Sequence, residues 1–203
     1  MSSNLQPAYL PGEEEFGFFS SHMYTLARLV PSIRRFHSFV VEDVLSFNFG
    51  SVIDIGSGPG FVLERVVQQK MGSWGLGIDP SPHMVKIAKR RASKQGISNR
   101  VSYALGSSHA LPSDRQFDLA YSSLSFHHWK EREESLRNVI KSLKPGGSFN
   151  IYEVASVGGF GNRAAASHLM GKEDLLKVSG SSGIPISSIL EKDGFIRASF
   201  TKA

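Results

Sequence analysis

The chain contains no cysteine, which excludes disulfides, thiolate-bound metals and a thiol nucleophile together. It has no apolar run near the roughly 18 residues that a membrane span requires. The start, Met1 to Glu15, carries neither a basic region nor an apolar stretch, so no secretory leader is expected. Internal repeats and long linkers are missing too. What remains is a 203-residue chain, 40% hydrophobic and 20% charged. That is one domain with room for a real core, too apolar to be disordered. A cytoplasmic protein is expected.

Lys and Arg number 23 against 18 Asp and Glu, a formal charge of +5. A basic balance suits nucleic acid, acidic membranes or anionic substrates. The bases are scattered, however, with short clusters only at Arg34-Arg35 and Lys89-Arg90-Arg91. Both clusters fall on expected helices, where a solvated face is the simpler reading, and nucleic acid is disfavoured as a partner.

Residues 1–49 read as an arm and helices that could form a lid, and residues 50–203 as the main domain. Ile33, Phe36, Val40 and Val44 recur at helical spacing over 32–47. Pro31 separates that helix from a shorter one over 21–30. Short apolar runs at 51–55, 74–78, 101–105, 117–122 and 149–154 then alternate with helical stretches. Ser81 followed by Pro82 opens one helix. Leu136, Val139, Ile140 and Leu143 mark the face of another, ended by Pro145-Gly146-Gly147. The alternation predicts an α/β fold, a Rossmann-like doubly wound and mostly parallel sheet with helices on both faces. Helices are expected near 172–179 and 186–193, and a last strand over 195–201.

In such a sheet, ligands bind beyond the carboxyl ends of the strands. Asp54-Ile55-Gly56-Ser57-Gly58-Pro59-Gly60 lies at such an end. Its glycines either make a tight turn or let a ligand rest on bare backbone. A dinucleotide fingerprint needs a third glycine at position 61, which is Phe61. The actual pattern places a carboxylate two residues before the first glycine, which disfavours pyrophosphate and suits an ammonium or sulfonium ligand. Asp79, ending the second strand, either accepts both ribose hydroxyls of a nucleoside or turns the chain toward Ser81.

Together with Gly106-Ser107-Ser108, Phe117 to Ser122 and Leu143 to Gly147, these segments resemble class I S-adenosylmethionine-dependent methyltransferases. Ser125-Phe126-His127-His128-Trp129 is similar to the small-molecule group typified by ubiquinone/menaquinone-biosynthesis methyltransferases. The resemblance implies S-adenosyl-L-methionine as cofactor, with S-adenosyl-L-homocysteine as product. It assigns Asp54, Gly56, Ser57, Gly58 and Gly60 to the methionine part, Asp79 to the ribose, and Pro80 and Met84 to the adenine faces. Ser107 and Ser108 would meet the adenine edge, where the family usually has Gly-Asp-Ala. Ser122 or Ser123 would contact the methionine moiety.

His127 and His128 are the candidate general bases, with pocket lining or helix capping as the alternative. No metal is expected. Phe18, Phe19, His22 and Tyr24 are lid candidates. Glu153, ending the fifth strand, could meet a substrate but reads better as a turn residue, and His37 and His83 read as helix-surface residues. The leading function is methyl transfer to a small-molecule acceptor. The alternatives are an RNA or protein methyltransferase, or a module that binds the cofactor without catalysis. Only one strand is expected after the last helix. The C-terminal hairpin is therefore expected to be shortened, leaving the fifth strand near an edge open to a homodimer.

Overall fold

The computed structural model describes residues 30–111, 115–155 and 170–203. The lid candidates Phe18, Phe19, His22 and Tyr24 and the helix expected over 21–30 lie outside them. Helix α1 is Pro31–Ser46, followed by β1 (Ser51–Ile55), α2 (Phe61–Gln69), β2 (Trp74–Asp79), α3 (Pro82–Lys94) and β3 (Val101–Leu105). Then come β4 (Phe117–Ser123), a 3-10 turn (Phe126–His128), α4 (Arg132–Lys141), β5 (Leu143–Val154), α5 (Lys172–Ser182), β6 (Ser188–Lys192) and β7 (Phe195–Thr201). One sheet orders the strands β3-β2-β1-β4-β5-β7-β6. The first five run parallel and β7 pairs antiparallel with both β5 and β6.

The order reverses between β1 and β4, so the crevice of an open α/β sheet falls there. Helices cover both faces. Phe36, Val40, Val41 and Val44 of α1, Leu63 and Val67 of α2 and Ala88 of α3 share one core with Val52, Tyr103 and Tyr121. Leu136 and Val139 of α4 and Leu175 of α5 share the other with Ile53, Phe149 and Ile196. α1 is thus part of the main core. β1 is buried along its whole length, which explains its lack of polar alternation.

Three expectations at the C-terminal side are corrected. The hairpin is not shortened: the stretch expected to be a helix over 186–193 holds β6 (Ser188–Lys192) instead, and β6 and β7 make an antiparallel pair. The turn is Asp193-Gly194, both at positive φ (54° and 81°), the conformation that a two-residue hairpin turn demands. β5 accordingly lies inside the sheet between β4 and β7, and the argument for a homodimer through its bare edge falls away. Finally, α4 ends at Lys141, so Pro145-Gly146-Gly147 and Leu143 belong to the start of β5.

At the opposite end of β1 and β4 from the crevice, Asp118 ties three segments together. Its Oδ2 accepts the backbone N–H groups of Gly50 (2.9 Å) and Ser51 (2.8 Å) and the Ser51 hydroxyl (2.8 Å), while Oδ1 meets Lys144 Nζ at 2.7 Å. Partial burial alone would raise its pKa, but the bonds from Lys144, Ser51 and Gly50 outweigh it and lower the value to about 2. The ionised form is therefore favoured by folding. Its contribution is complete above the ordinary carboxylate pKa and is lost as pH falls from about 4 toward 2. Asp118→Ala strands two N–H groups and should cost about 2 kcal/mol at pH 7, roughly 4–8 °C of melting temperature. Thermal melts should show that deficit shrinking below pH 4, with cofactor affinity unchanged.

Candidate functional site

The carboxyl ends of β1, β2 and β4 open onto a crevice of about 260 Å³. Its floor is the loop after β1. Ile78 O accepts from both Gly56 N and Ser57 N at 2.9 Å, Asp79 Oδ2 accepts from Gly58 N at 2.8 Å, and Ser57 O accepts from Gly60 N at 3.0 Å. Four consecutive opportunities to present a free N–H are thereby used inside the protein. A phosphate-cradling loop keeps such donors for its ligand. This loop offers bare backbone instead.

The glycines serve two different needs. A Cβ on Gly60 would lie 2.3 Å from the Tyr103 hydroxyl, and φ there is +83°. Gly60 is the N-cap of α2 and rests on Tyr103, whose hydroxyl donates to Gly60 O at 3.3 Å. At Gly58 a Cβ would meet nothing within 4 Å. Gly58 borders open crevice at positive φ (52°), so its requirement is conformational.

Two carboxylates face the same space. Asp54, buried in β1, accepts from the Tyr121 hydroxyl at 3.0 Å through Oδ2, while Oδ1 has no partner among the described residues. Burial is the main cause that raises its pKa, to about 8; Tyr121 opposes and the nearby Asp79 adds to it. Asp79 is raised to about 6 by burial, against the hydrogen bonds from Ser81 N (2.9 Å) and Gly58 N. Both roles foreseen for Asp79 coexist in its geometry. It turns the chain into α3 and still faces the crevice. Ser81 caps α3 by accepting from Met84 N at 3.4 Å.

Of the sequence candidates, Asp54, Gly56, Ser57, Gly58, Asp79, Pro80, Met84, Ser107, Ser108, Ser123 and His128 line the crevice. Three do not. Gly60 sits behind the loop under Tyr103. Ser122 is fully buried, because along β4 side chains alternate and only Ser123 faces the opening. His127 is turned away, with Nδ1 at 2.9 Å from Oε2 of the fully buried Glu153. Oε1 of Glu153 also accepts His127 N at 3.2 Å. Glu153 is thus no turn residue but the anchor of the 3-10 turn that points His128 into the crevice. The His127 and His128 rings lie 3.9 Å apart, and Arg132 donates to the His127 carbonyl.

Sequence reasoning missed most of the remaining wall: Ile33 and His37 of α1, Phe61 and Val62 of α2, and Leu124, Ser125 and Trp129 after β4. His37 is not a surface residue. Burial, and then the charge of Arg65, lowers its pKa to about 4, so it is neutral at neutral pH. Ile33 and His37 are four residues apart, a helical spacing that could have signalled one shared face.

Residues 52–147 match a methyltransferase domain family. Over 130 residues, 64% of this chain and 44% of the other, the sequence is 32% identical to norajmaline N-methyltransferase of Rauvolfia serpentina. It is 24% identical to a sterol 4-C-methyltransferase of Caenorhabditis elegans over 63% of this chain and 38% of that one. Alignments with the curated relatives span 38–54% of their lengths. The fold superposes on a SAM-dependent methyltransferase from Aquifex aeolicus with a TM-score of 0.75 at 21% identity, covering 90% of this chain and 98% of that one. A buried, unpartnered carboxylate oxygen at the crevice fits the cationic cofactor of such SAM-dependent enzymes. Residues 52–147 thus match a methyltransferase domain, on a fold shared with solved SAM-dependent methyltransferases.

Proposed function

We propose that the chain transfers a methyl group from S-adenosylmethionine to a small-molecule acceptor. The observation that carries this reading is the crevice itself. It joins two buried carboxylates and a bare glycine loop to a mostly apolar wall of Ile33, Phe61, Leu124 and Trp129. Relatives named for norajmaline and for sterols support a small acceptor.

In this reading Asp54 faces the ammonium group, Asp79 holds the ribose, and Gly56, Ser57, Gly58 and Ser123 pack on the methionine part. Pro80 and Met84 flank the adenine, with Ser107 and Ser108 at its edge; a soft Met suits a ring face. The bound cofactor supplies a methyl group already activated on a sulfonium, so transfer is an in-line displacement. The chain's task is then orientation, which can supply roughly 7–11 kcal/mol in ideal cases. The apolar wall excludes water and aligns the acceptor. His128, fixed by the bonds of its neighbour His127 to Glu153, takes the proton from an acceptor that must lose one.

Asp79→Ala should weaken S-adenosylhomocysteine binding at least about tenfold, or ~1.4 kcal/mol. Titration calorimetry showing unchanged affinity would remove Asp79 from the site.

Asp54 and Asp79 carry raised pKa values, about 8 and about 6. A cation binds better to the ionised forms, so cofactor affinity should climb between pH 5 and pH 8, with protons released on binding near pH 7. Calorimetry in buffers of different ionisation heat measures that release, and Asp54→Asn should remove the upper part of it. An affinity that is flat with pH would contradict the pairing.

His128→Ala should slow methyl transfer by about 100-fold or more while leaving cofactor affinity intact. Labelled-methyl transfer to a metabolite extract reads the rate.

A further inference from the structure

Basic residues that look scattered in the sequence are collected by the fold. α1, α2 and α3 lie in one layer over the sheet. They contain eight Lys and Arg and three Asp and Glu, which leaves fifteen of each, out of 23 and 18, for all other residues. The whole formal charge of +5 therefore resides in this layer. On the opposite layer, α4 and α5 hold five bases and four acids, a mixed surface.

Two of the three acids in the basic layer are already engaged. Glu64 is buried against Arg91 at 2.6 Å, and Asp43 meets Arg197 at 3.0 Å. Only Glu42 is exposed. α3 has no acid at all, and its exposed Lys86, Lys89, Arg90 and Lys94 recur on its solvent side at helical spacing. Arg65 of α2 and Arg34 and Arg35 of α1 are exposed as well. None of these seven makes an ion pair with a described residue.

The chemistry of the layer separates possible occupants. Interfaces between proteins carry an apolar or aromatic centre, and a helix that lies on an anionic membrane inserts an apolar face. Among the described residues the large exposed apolar side chains are Val30, Met71 and Leu176, and none belongs to α1, α2 or α3. A surface that is polar, cationic and without such an anchor matches nucleic-acid interfaces instead. We infer that the outer face of α1, α2 and α3 binds the phosphodiester backbone of a nucleic acid, independently of base sequence. The same three helices send Ile33, His37, Phe61 and Met84 to the crevice, so the bound strand runs beside its mouth.

The test is fluorescence anisotropy of the full chain with labelled 20-nucleotide single-stranded RNA and 20-base-pair duplex DNA, titrated between about 50 and 200 mM KCl. Binding of either probe, with affinity falling steeply as salt rises, is the result expected. Lys86→Gln/Lys89→Gln/Arg90→Gln should weaken it about tenfold or more at the lowest salt. The log–log salt slope should shrink by about 2 for single-stranded RNA, at roughly 0.7 per phosphate contact. Lys172→Gln/Lys177→Gln, on the opposite layer, should remain within about twofold of the parent, and thermal melts check that both variants fold. The inference is overturned if neither probe binds at the lowest salt, or if the two variants lose affinity equally. Equally tight binding of labelled polyglutamate overturns it too, in favour of an acidic protein. The assay contains no cofactor and reads no methyl transfer, so its failure leaves the crevice reading untouched.

Discussion

The site depends on one doubly used carbonyl. Ile78 O, at the end of β2, receives both Gly56 N and Ser57 N at 2.9 Å, and the next side chain, Asp79, takes Gly58 N at 2.8 Å. The end of one strand thus clamps the loop leaving its neighbour, and the parallel pairing of β1 with β2 fixes the register in which this happens. With these donors consumed, Gly56, Ser57, Gly58 and Gly60 keep no free N–H of their own, and the loop presents bare backbone to the crevice.

The same geometry explains why two acids are kept in a buried place. Asp54 is 1% exposed and Asp79 8%, and both have raised pKa values because charge is costly where water is excluded. Asp79 offsets part of that cost by accepting two backbone N–H groups. Asp54 has only the Tyr121 hydroxyl, and one oxygen is left over. A protein gains no stability from such an orphan. On the proposed reading its missing partner is the ammonium group of the cofactor.

How much of this could be read beforehand follows from how locally each feature is encoded. β1, β3 and β7 match their sequence readings residue for residue, and β2 and β4 to within one, because short apolar runs bounded by glycine or turn residues carry their own signal. β6 does not. Ser188 to Lys192 is an edge strand with no buried position, and its Leu, Glu and Lys are good helix formers. The Asp193-Gly194 turn was the available clue, since two adjacent residues at positive φ belong to a hairpin rather than to a helix end. Ser122 and His127 are the members of their adjacent pairs that do not face the crevice, and the sequence left that choice open for a different reason. Neighbouring residues on a strand or a short turn point in opposite directions, and a motif names the stretch without saying which member faces inward.

The glycine-loop half of the crevice was legible and the apolar half was not, and the asymmetry has a physical origin. One half is built from backbone: glycines whose φ or close contacts exclude side chains, and carboxylates at strand ends. Such constraints leave a pattern within one short stretch of chain. The other half is built from side chains on α1, at the start of α2 and after β4, brought together only by packing. Ile33 and His37 are separated from Leu124 and Trp129 by some ninety residues of sequence, and nothing local marks them as neighbours. The wall they form is mostly apolar, and a neutral His37 lines it together with His128. That is why the acceptor must be sought by the shape and chemistry of this wall rather than by motif.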